Sequence, residues 1–486
     1  MKPHPLSDQA LASFHHLHDA LEPGQACRGL ACFAARAVHP DRWHRAETAA
    51  PLHCLGQCYR APAAFGDDER PATVADARET VLLANVVAGG VRDLTLYQRR
   101  GGGRALHAAL ARPPAELVAT VLRSGLRGRG GAGFPTGRKW QAVATRIAPE
   151  KYVVANADEG DPGAFSDRFL IEDDPFRLIE GLLVAGLATG AQSGYIYLRR
   201  EYPRAAAILA DAIRQARAAG WLGPSILDSG RPFELSLVIG HGSYVCGEET
   251  ALLNALEGRR PEPRARPPQI TECGLHGAPT LVNNVETLCA IPWIVEHGGD
   301  AYAALGTGSS RGTKLLSLNS LFRRPGLYEV EFGISLRDIV DRLGGGLREG
   351  TLRALMIGGP LAALVPPALL DTRLDHEEMQ AIGAAVGHGG VIAFDEHTRI
   401  EEIVAEVFRF GAAESCGKCV PCHRGAPKLA RMFSAAVAGA PADAMQAARI
   451  VDALADTSLC GHGRGLAEFA RGVARNFPEA WQACFG

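Results

Sequence analysis

Tyr152-Val153-Val154-Ala155, followed by Asn156-Ala157-Asp158-Glu159-Gly160-Asp161-Pro162-Gly163, reads as a short buried strand running into a turn. The first four residues have the β-branched and aromatic character of a strand, and the polar, glycine-containing run after them ends it. A helix follows over 176–190, then a strand at Gly194-Tyr195-Ile196-Tyr197-Leu198, a helix ending near Gly220 and a strand over Leu235–Ile239. Strands alternating with helices predict an α/β layer structure. The Pro-rich loop Pro261–Pro268 comes next, and after it the run Thr280–Leu288.

Outward from this unit the pattern changes. From Gly312 to about Asp395, short strands with one short helix, Ser335–Leu343, predict a small separate α+β domain, and from Thr398 onward the pattern is helical. Upstream, 73–124 reads mostly as helices and turns, broken at Gly101-Gly102-Gly103. The charged patch Asp67–Arg70, ending at Pro71, reads as a linker, and 7–22 sets Leu11, Phe14, Leu17 and Leu21 on one helical face.

With 486 residues the chain is too long for one ordinary domain. Its 47% hydrophobic and 21% charged residues suit a folded globular protein, which excludes disorder as the main state. A net charge of −2 gives no basic excess to hold nucleic acid or an anionic membrane. Met1–Ala10 is polar, without an apolar signal region. Leu178–Gly190 is too short to span a bilayer and contains Glu180, so the expected location is the cytoplasm, without membrane insertion.

Eight of the twelve cysteines form two clusters. In a reducing compartment such spacing reads as ligands rather than disulfides. Cys416-x2-Cys419-x2-Cys422 brings three thiolates within seven residues, with Cys460 as a fourth in Ser458-Leu459-Cys460-Gly461-His462-Gly463. A triplet plus a distant single is the pattern of a [4Fe–4S] cluster, whereas structural zinc, the alternative, favours two paired knuckles. At the other end, Cys27, Cys32, Cys54 and Cys58 suit a [2Fe–2S] cluster, with zinc or a vestigial metal-free site as alternatives. The neighbouring His15, His16, His18 and His53 read as solvated or structural.

Between Gly125 and Trp140 lie six glycines and four cations. Glycines let backbone approach a ligand closely, and successive N–H groups in such turns bind anions. Lys139 and the arginines are candidates to neutralise phosphates. Gly128-x-Gly130-x-x-Gly133 matches the dinucleotide fingerprint formally, but it follows a helical pattern, Glu116–Ser124, so the ordinary strand–loop–helix reading does not apply.

Taken in order, Gly128–Trp140, Asn156–Arg168, Tyr244–Thr250, Thr280–Thr287 and the Cys416/Cys419/Cys422/Cys460 set resemble the NADH-oxidising flavoprotein subunit of respiratory complex I and its relatives. Those relatives are the diaphorase subunits of NAD-dependent formate dehydrogenases and bidirectional hydrogenases. The resemblance implies a multidomain α/β chain: a truncated thioredoxin-like [2Fe–2S] segment over 1–72, a Rossmann-like FMN/NAD domain over 73–308, a β-grasp domain over 309–397 and a helical [4Fe–4S] bundle over 398–486. It assigns FMN or nucleotide contacts to Gly128, Arg129, Gly130, Gly131, Phe134, Lys139, Asn156, Asp158, Glu159, Tyr244, Gly247, Glu248, Asn283, Asn284 and Thr287. By the same resemblance Phe134 matches an aromatic that stacks on the dinucleotide, and Glu249 and Asp161 are expected to face the ribose and nicotinamide of NAD(H).

The implied activity is hydride exchange between NAD(H) and FMN, with single electrons passed through the clusters to or from a partner. That partner is a dehydrogenase or hydrogenase subunit with its own redox centres, with a further iron–sulfur subunit in some assemblies. Formate dehydrogenase is the favoured parent, with hydrogenase, complex I and a non-catalytic electron-transfer subunit as alternatives. Three positions depart from the family: Arg266 and Gln269, either side of Pro267-Pro268, stand where members often carry Lys and Phe, and Ala142 replaces an aromatic found in some members; Arg266 leaves NADP(H) open.

Overall fold

The structure is a computed structural model and describes residues 21–38, 40–48, 52–67 and 69–486. Most of the helix expected over 7–22, with His15, His16 and His18, lies outside these residues.

The nucleus is a four-stranded parallel sheet in the order Glu234–Ile239, Ser193–Leu198, Tyr152–Ala157, Thr280–Asn284. The strand at Tyr152–Ala157 is therefore an inner one, and Val153, Val154 and Ala155 are fully buried. Chain order reverses direction across the sheet between Tyr152–Ala157 and Thr280–Asn284, and open α/β sheets bind ligands beyond the carboxyl ends of strands at such a point. Asn156 and Asn284 face each other there in register. The run Thr280–Leu288 divides at this point: its first five residues are strand, and a helix, Val285–His297, starts at once under an Asn284 side-chain cap.

The long apolar stretch forms the helix Pro175–Thr189, buried at every residue but the half-buried Arg177. Its Glu180 is wholly enclosed and is held by the Tyr97 hydroxyl (2.7 Å) and the N–H groups of Leu106 (2.8 Å) and Gly103 (3.1 Å). Among the described residues no helix is long and apolar enough to cross a membrane.

A six-stranded mixed sheet runs in the order Ala72–Ala75, Gly326–Glu331, Thr313–Leu318, Gly390–Asp395, Leu352–Ile357, Leu364–Val365. Its edge strand comes from the other side, in sequence, of the parallel-sheet unit, so 73–124, read mostly as helices and turns, begins inside a strand. The single helix expected here is the wide turn Asp338–Leu343, and a second helix, His376–Ala381, accompanies it. Asp375 caps that second helix with two bonds to its first turn, a signal the strand-rich composition hid.

From Ile400 the chain is helical: Ile400–Ala413, Ala426–Val437, Ala444–Thr457, Gly461–Asn476 and Pro478–Ala483. Stacked Phe408 and Phe433 (5.0 Å) lie in the bundle core. At the other end, 21–67 carries two helices, Leu30–Ala34 and Pro40–Thr48, and an isolated bridge between Ala26 and Ala64. This segment packs on the parallel-sheet unit through Arg168 and Arg199, which donate to the carbonyls of Leu55, Gly56 and Cys54.

Candidate functional site

A cavity of about 420 Å³ opens at the end of the parallel sheet. All three layers of the molecule line it: Gly130, Gly131, Asn156, Gly247 and Asn284 from the parallel-sheet unit, Gly358, Gly387 and His388 from the mixed-sheet unit, and Cys460 and His462 from the helical bundle. The glycine loop is closed at its base by Gly128 N–H to Phe134 C=O (2.9 Å) and Thr136 N–H to Leu126 C=O (2.8 Å). A side chain at Gly130 would meet Asn284 Cβ at 2.9 Å, and Gly131 sits at φ +117°. Backbone therefore forms that wall, leaving room for a flat ring system of a size such cavities accept. Asn156 is fixed by donating to the Gly247 carbonyl (2.8 Å) and accepting from Asp158 N–H (3.1 Å).

Acidic groups gather at this cavity. Tyr244 donates to Asp161 (2.7 Å). Glu248 caps the helix Glu249–Leu256 and pairs with Arg266 (2.5 Å), whose other nitrogen pairs with Glu249 (2.8 Å). Lys139 closes the chain on Glu249 (2.8 Å). Burial alone would raise the Glu249 carboxyl, but Lys139 and Arg266 carry it below its usual range. Burial pushes Asp158 well above that range, and burial with the neighbouring Asp167 pushes Glu159 up to about 7.

Cys416, Cys419, Cys422 and Cys460 line one small cavity with Val245, so all four predicted ligands converge. Burial raises the Cys422 thiol to about 12 and the Cys460 thiol to about 11. Free thiolates are disfavoured in such surroundings, and iron binding displaces the protons. A four-thiolate cage fits an iron–sulfur cubane, and Cys460 belongs to both its wall and the wall of the glycine-lined cavity.

Against this geometry stand the comparisons with known proteins. Residues 121–293 match the Nuo51 FMN-binding domain family, and 402–484 match the NADH-ubiquinone oxidoreductase-F iron–sulfur binding region. The NADH-quinone oxidoreductase F 2 subunit of Rhizobium meliloti (strain 1021) is 41% identical over 82% of this chain and 96% of its own length. The chain belongs to the family of NADH-quinone oxidoreductase F subunits. The NADP-reducing hydrogenase subunit HndC of Solidesulfovibrio fructosivorans is 40% identical over 79% of this chain and 78% of its own length. Among solved structures, an NAD+-reducing [NiFe]-hydrogenase in the H2-reduced state superposes with a TM-score of 0.83 at 30% identity, over 98% of this chain and 88% of that one. This member of the F-subunit family is an NADH-oxidising oxidoreductase subunit that depends on FMN and a [4Fe–4S] cluster.

Of the residues the resemblance assigned to nucleotide and flavin, Gly130, Gly131, Asn156, Glu159, Asp161, Tyr244, Gly247, Glu248 and Asn284 line the cavity. Others lie behind it. Trp140 donates to Asn283 (2.9 Å) and Thr287 accepts from Arg129 N–H (2.9 Å), so these two side chains brace the wall. The expectation that the arginines neutralise phosphate is corrected at Arg129. Its guanidinium turns inward, donates to the Tyr302 hydroxyl (2.8 Å) and the Arg311 carbonyl (2.6 Å), and lies over the Phe332 ring. Arg127 is committed to Glu377 (2.8 Å). Phe134 points outward, 51% exposed.

Sequence reasoning passes over His388. The residue enters the cavity from the mixed sheet, and its only mark in the sequence is a histidine inside Gly387-His388-Gly389-Gly390.

Cys27, Cys32, Cys54 and Cys58 also converge, all four buried. Cys54 and Cys58 sulfurs are 3.7 Å apart, and backbone N–H groups of Gly29, Gly56 and Ala63 point at Cys27, Cys54 and Cys32 at 3.3–3.4 Å. A hydrogen bond from Cys32 lowers Cys27 to about 7, and one from Cys58 holds Cys54 below the usual thiol range. N–H donors aimed at sulfur stabilise thiolate and suit cluster ligation.

Proposed function

We propose that this chain is the NAD(H)-handling subunit of a cytoplasmic assembly whose partner subunit carries the other half-reaction. One observation carries the reading: Cys460 is shared between the glycine-lined cavity and the four-thiolate cage. When bound, FMN supplies the exchange between hydride and single electrons, and the protein sets position and potential.

The chain's own groups divide the work. Gly130, Gly131 and Gly247 present backbone to the ring, while Asn156 and Asn284 offer amides at the sheet's end. Glu248 and Asp161 orient the nicotinamide nucleotide, while Glu249, which the resemblance set toward it, pairs instead with Lys139 and holds Glu248's neighbour Arg266 in place. Tyr244 ties this wall to the cluster domain, its ring packed edge-on to Phe410 (5.2 Å). Arg266 is engaged with two carboxylates, which favours NAD(H) over NADP(H), since a 2′-phosphate would have to displace both.

The N-terminal thiolates hold a [2Fe–2S] cluster in this reading, supported by their convergence and the N–H groups aimed at them. By segment, 1–72 carries that cluster, 73–308 the flavin and nucleotide, 309–397 the β-grasp bridge and 398–486 the cubane. The partner is of the hydrogenase or formate dehydrogenase class, and the likeness to an NAD+-reducing [NiFe]-hydrogenase over 98% of the chain supports the hydrogenase class.

Anaerobic reconstitution with FMN, iron and sulfide followed by NADH titration tests the reading. Flavin bleaching is expected; bound flavin that NADH does not bleach would make this a non-catalytic electron-transfer subunit.

A further inference from the structure

Oxidising NADH releases two electrons and one proton for each NAD+ formed (NADH → NAD+ + 2 e− + H+). Only the electrons leave through thiolate-held clusters. The proton has to reach water, and a titratable group on the cavity wall gives it a path.

His388 occupies that wall, 5% exposed, with a carboxylate at each ring nitrogen. Nε2 lies 3.0 Å from Asp167 and 3.7 Å from Glu159, and Nδ1 lies 3.7 Å from Asp161. Glu159, Asp167 and His388 are close enough together to surround a cation. Their oxygens are already committed, however. Glu159 accepts from Asp167 N–H (2.8 Å), Arg168 N–H (3.0 Å) and the Tyr202 hydroxyl (3.0 Å). Asp167 accepts from Asn284 Nδ2 (2.6 Å) and Glu286 N–H (3.2 Å). A ring nitrogen carrying a proton completes this network, and a metal would break it.

We propose that His388 is the proton-holding residue of the nucleotide cavity. It holds a proton in the resting cavity, gives that proton to Asp161 and is reprotonated by the proton left by NADH oxidation, and the reverse reaction runs these transfers backwards. This rests on the functional reading above. Exposure sets the direction: the Asp161 side chain keeps 17% of its surface in solvent, whereas Glu159 and Asp167 keep 0% and 1%.

The charges facing the ring agree with this role. Glu159 and Asp161 come from the turn after the inner strand, and Asp167 from the helix Ser166–Asp173. Lys314 donates to the His388 carbonyl (3.2 Å) but is paired with Glu286, which leaves the three carboxylates to the imidazole. Burial alone would depress the imidazole, and Asp167, Asp161 and Glu159 carry it well above its usual range. Glu159, raised to about 7, is close enough to share the proton.

The test is a spectroelectrochemical titration of bound FMN across pH in the reconstituted chain, its His388→Gln variant and its His388→Ser variant. In the intact chain the flavin midpoint potential changes slope with pH where the histidine and its carboxylates lose their proton. Both variants shift that break, which the carboxylates alone then set, and move the midpoint to lower potential at neutral pH, because the carboxylates lose their counter-charge. If the variants hold flavin fully and their potential–pH curves superimpose on the parent's, the assignment is overturned. A parent chain that takes up no flavin overturns the functional reading itself, an outcome the visible spectrum reports before any titration begins.

Discussion

Two sets of four cysteines sit at opposite ends of this sequence and meet the solvent differently. At Cys27, Cys32, Cys54 and Cys58 every sulfur is buried, backbone N–H groups point at three of them, and Arg168 and Arg199 clamp the loop onto the flavin unit. At Cys416, Cys419, Cys422 and Cys460, two of the residues are half-buried and Val420 between them stands 73% exposed. One set is sealed by tertiary docking. The other spans the distance from the nucleotide cavity to the outer surface, as a conduit to another subunit requires. The sealed set is expected to depend on its packing partners, and the open set on its ligands alone.

Removing one ligand of the open set is the most severe way to break this contrast. In Cys422→Ser the cubane's iron and sulfide are expected to be lost, together with its signal in electron paramagnetic resonance. NADH should still bleach the flavin, since Cys460 alone of that set lines the cavity. Loss of bleaching as well would mean that the cage and the cavity form one structural unit, and the distinction between ligand and packing would fail.

The sealed set is attacked through packing instead. Gly56 has φ +62°, and a side chain there would come within 2.4 Å of the Tyr202 hydroxyl. Left-handed backbone strain and overpacking together make Gly56→Ala cost about 2–4 kcal/mol. The loop should lift from Arg168 and Arg199, so that limited proteolysis cuts within 21–67 first while the flavin domain persists. An unchanged melting temperature and cleavage pattern would show that the docking does not hold the segment.

What the sequence made legible follows the same divide. The C-x2-C-x2-C triplet needs only local spacing to be read as a cluster site, and the alternation around Tyr152–Ala157 needs only periodicity to be read as an α/β layer unit. Contacts made across the chain left no local trace. The strand Ala72–Ala75 joins a sheet whose other strands begin at Thr313, so nothing nearby distinguished it from a linker. Arg129 looked like a phosphate ligand because its tertiary acceptors, Tyr302 and Arg311, lie more than a hundred residues away. His388 is illegible for the same reason: its three carboxylates come from 159–167, and no spacing rule links them.

Phe134 separates a residue read from resemblance from one fixed by packing, and here the smallest effect is expected. Its ring is 51% exposed and closes no part of the cavity, so it contributes little to the fold. Phe134→Ala should change stability by no more than about 0.5 kcal/mol, within the range of ordinary surface substitutions. If the ring stacks on the bound dinucleotide as the resemblance implies, KM for NADH rises while kcat and the flavin spectrum hold, the pattern left when binding common to ground and transition states is lost. An aromatic contact of this kind is worth about 1 kcal/mol, roughly a fivefold change in KM. Steady-state kinetics with an artificial one-electron acceptor resolves a change of that size, and an unchanged KM would return Phe134 to the ordinary surface.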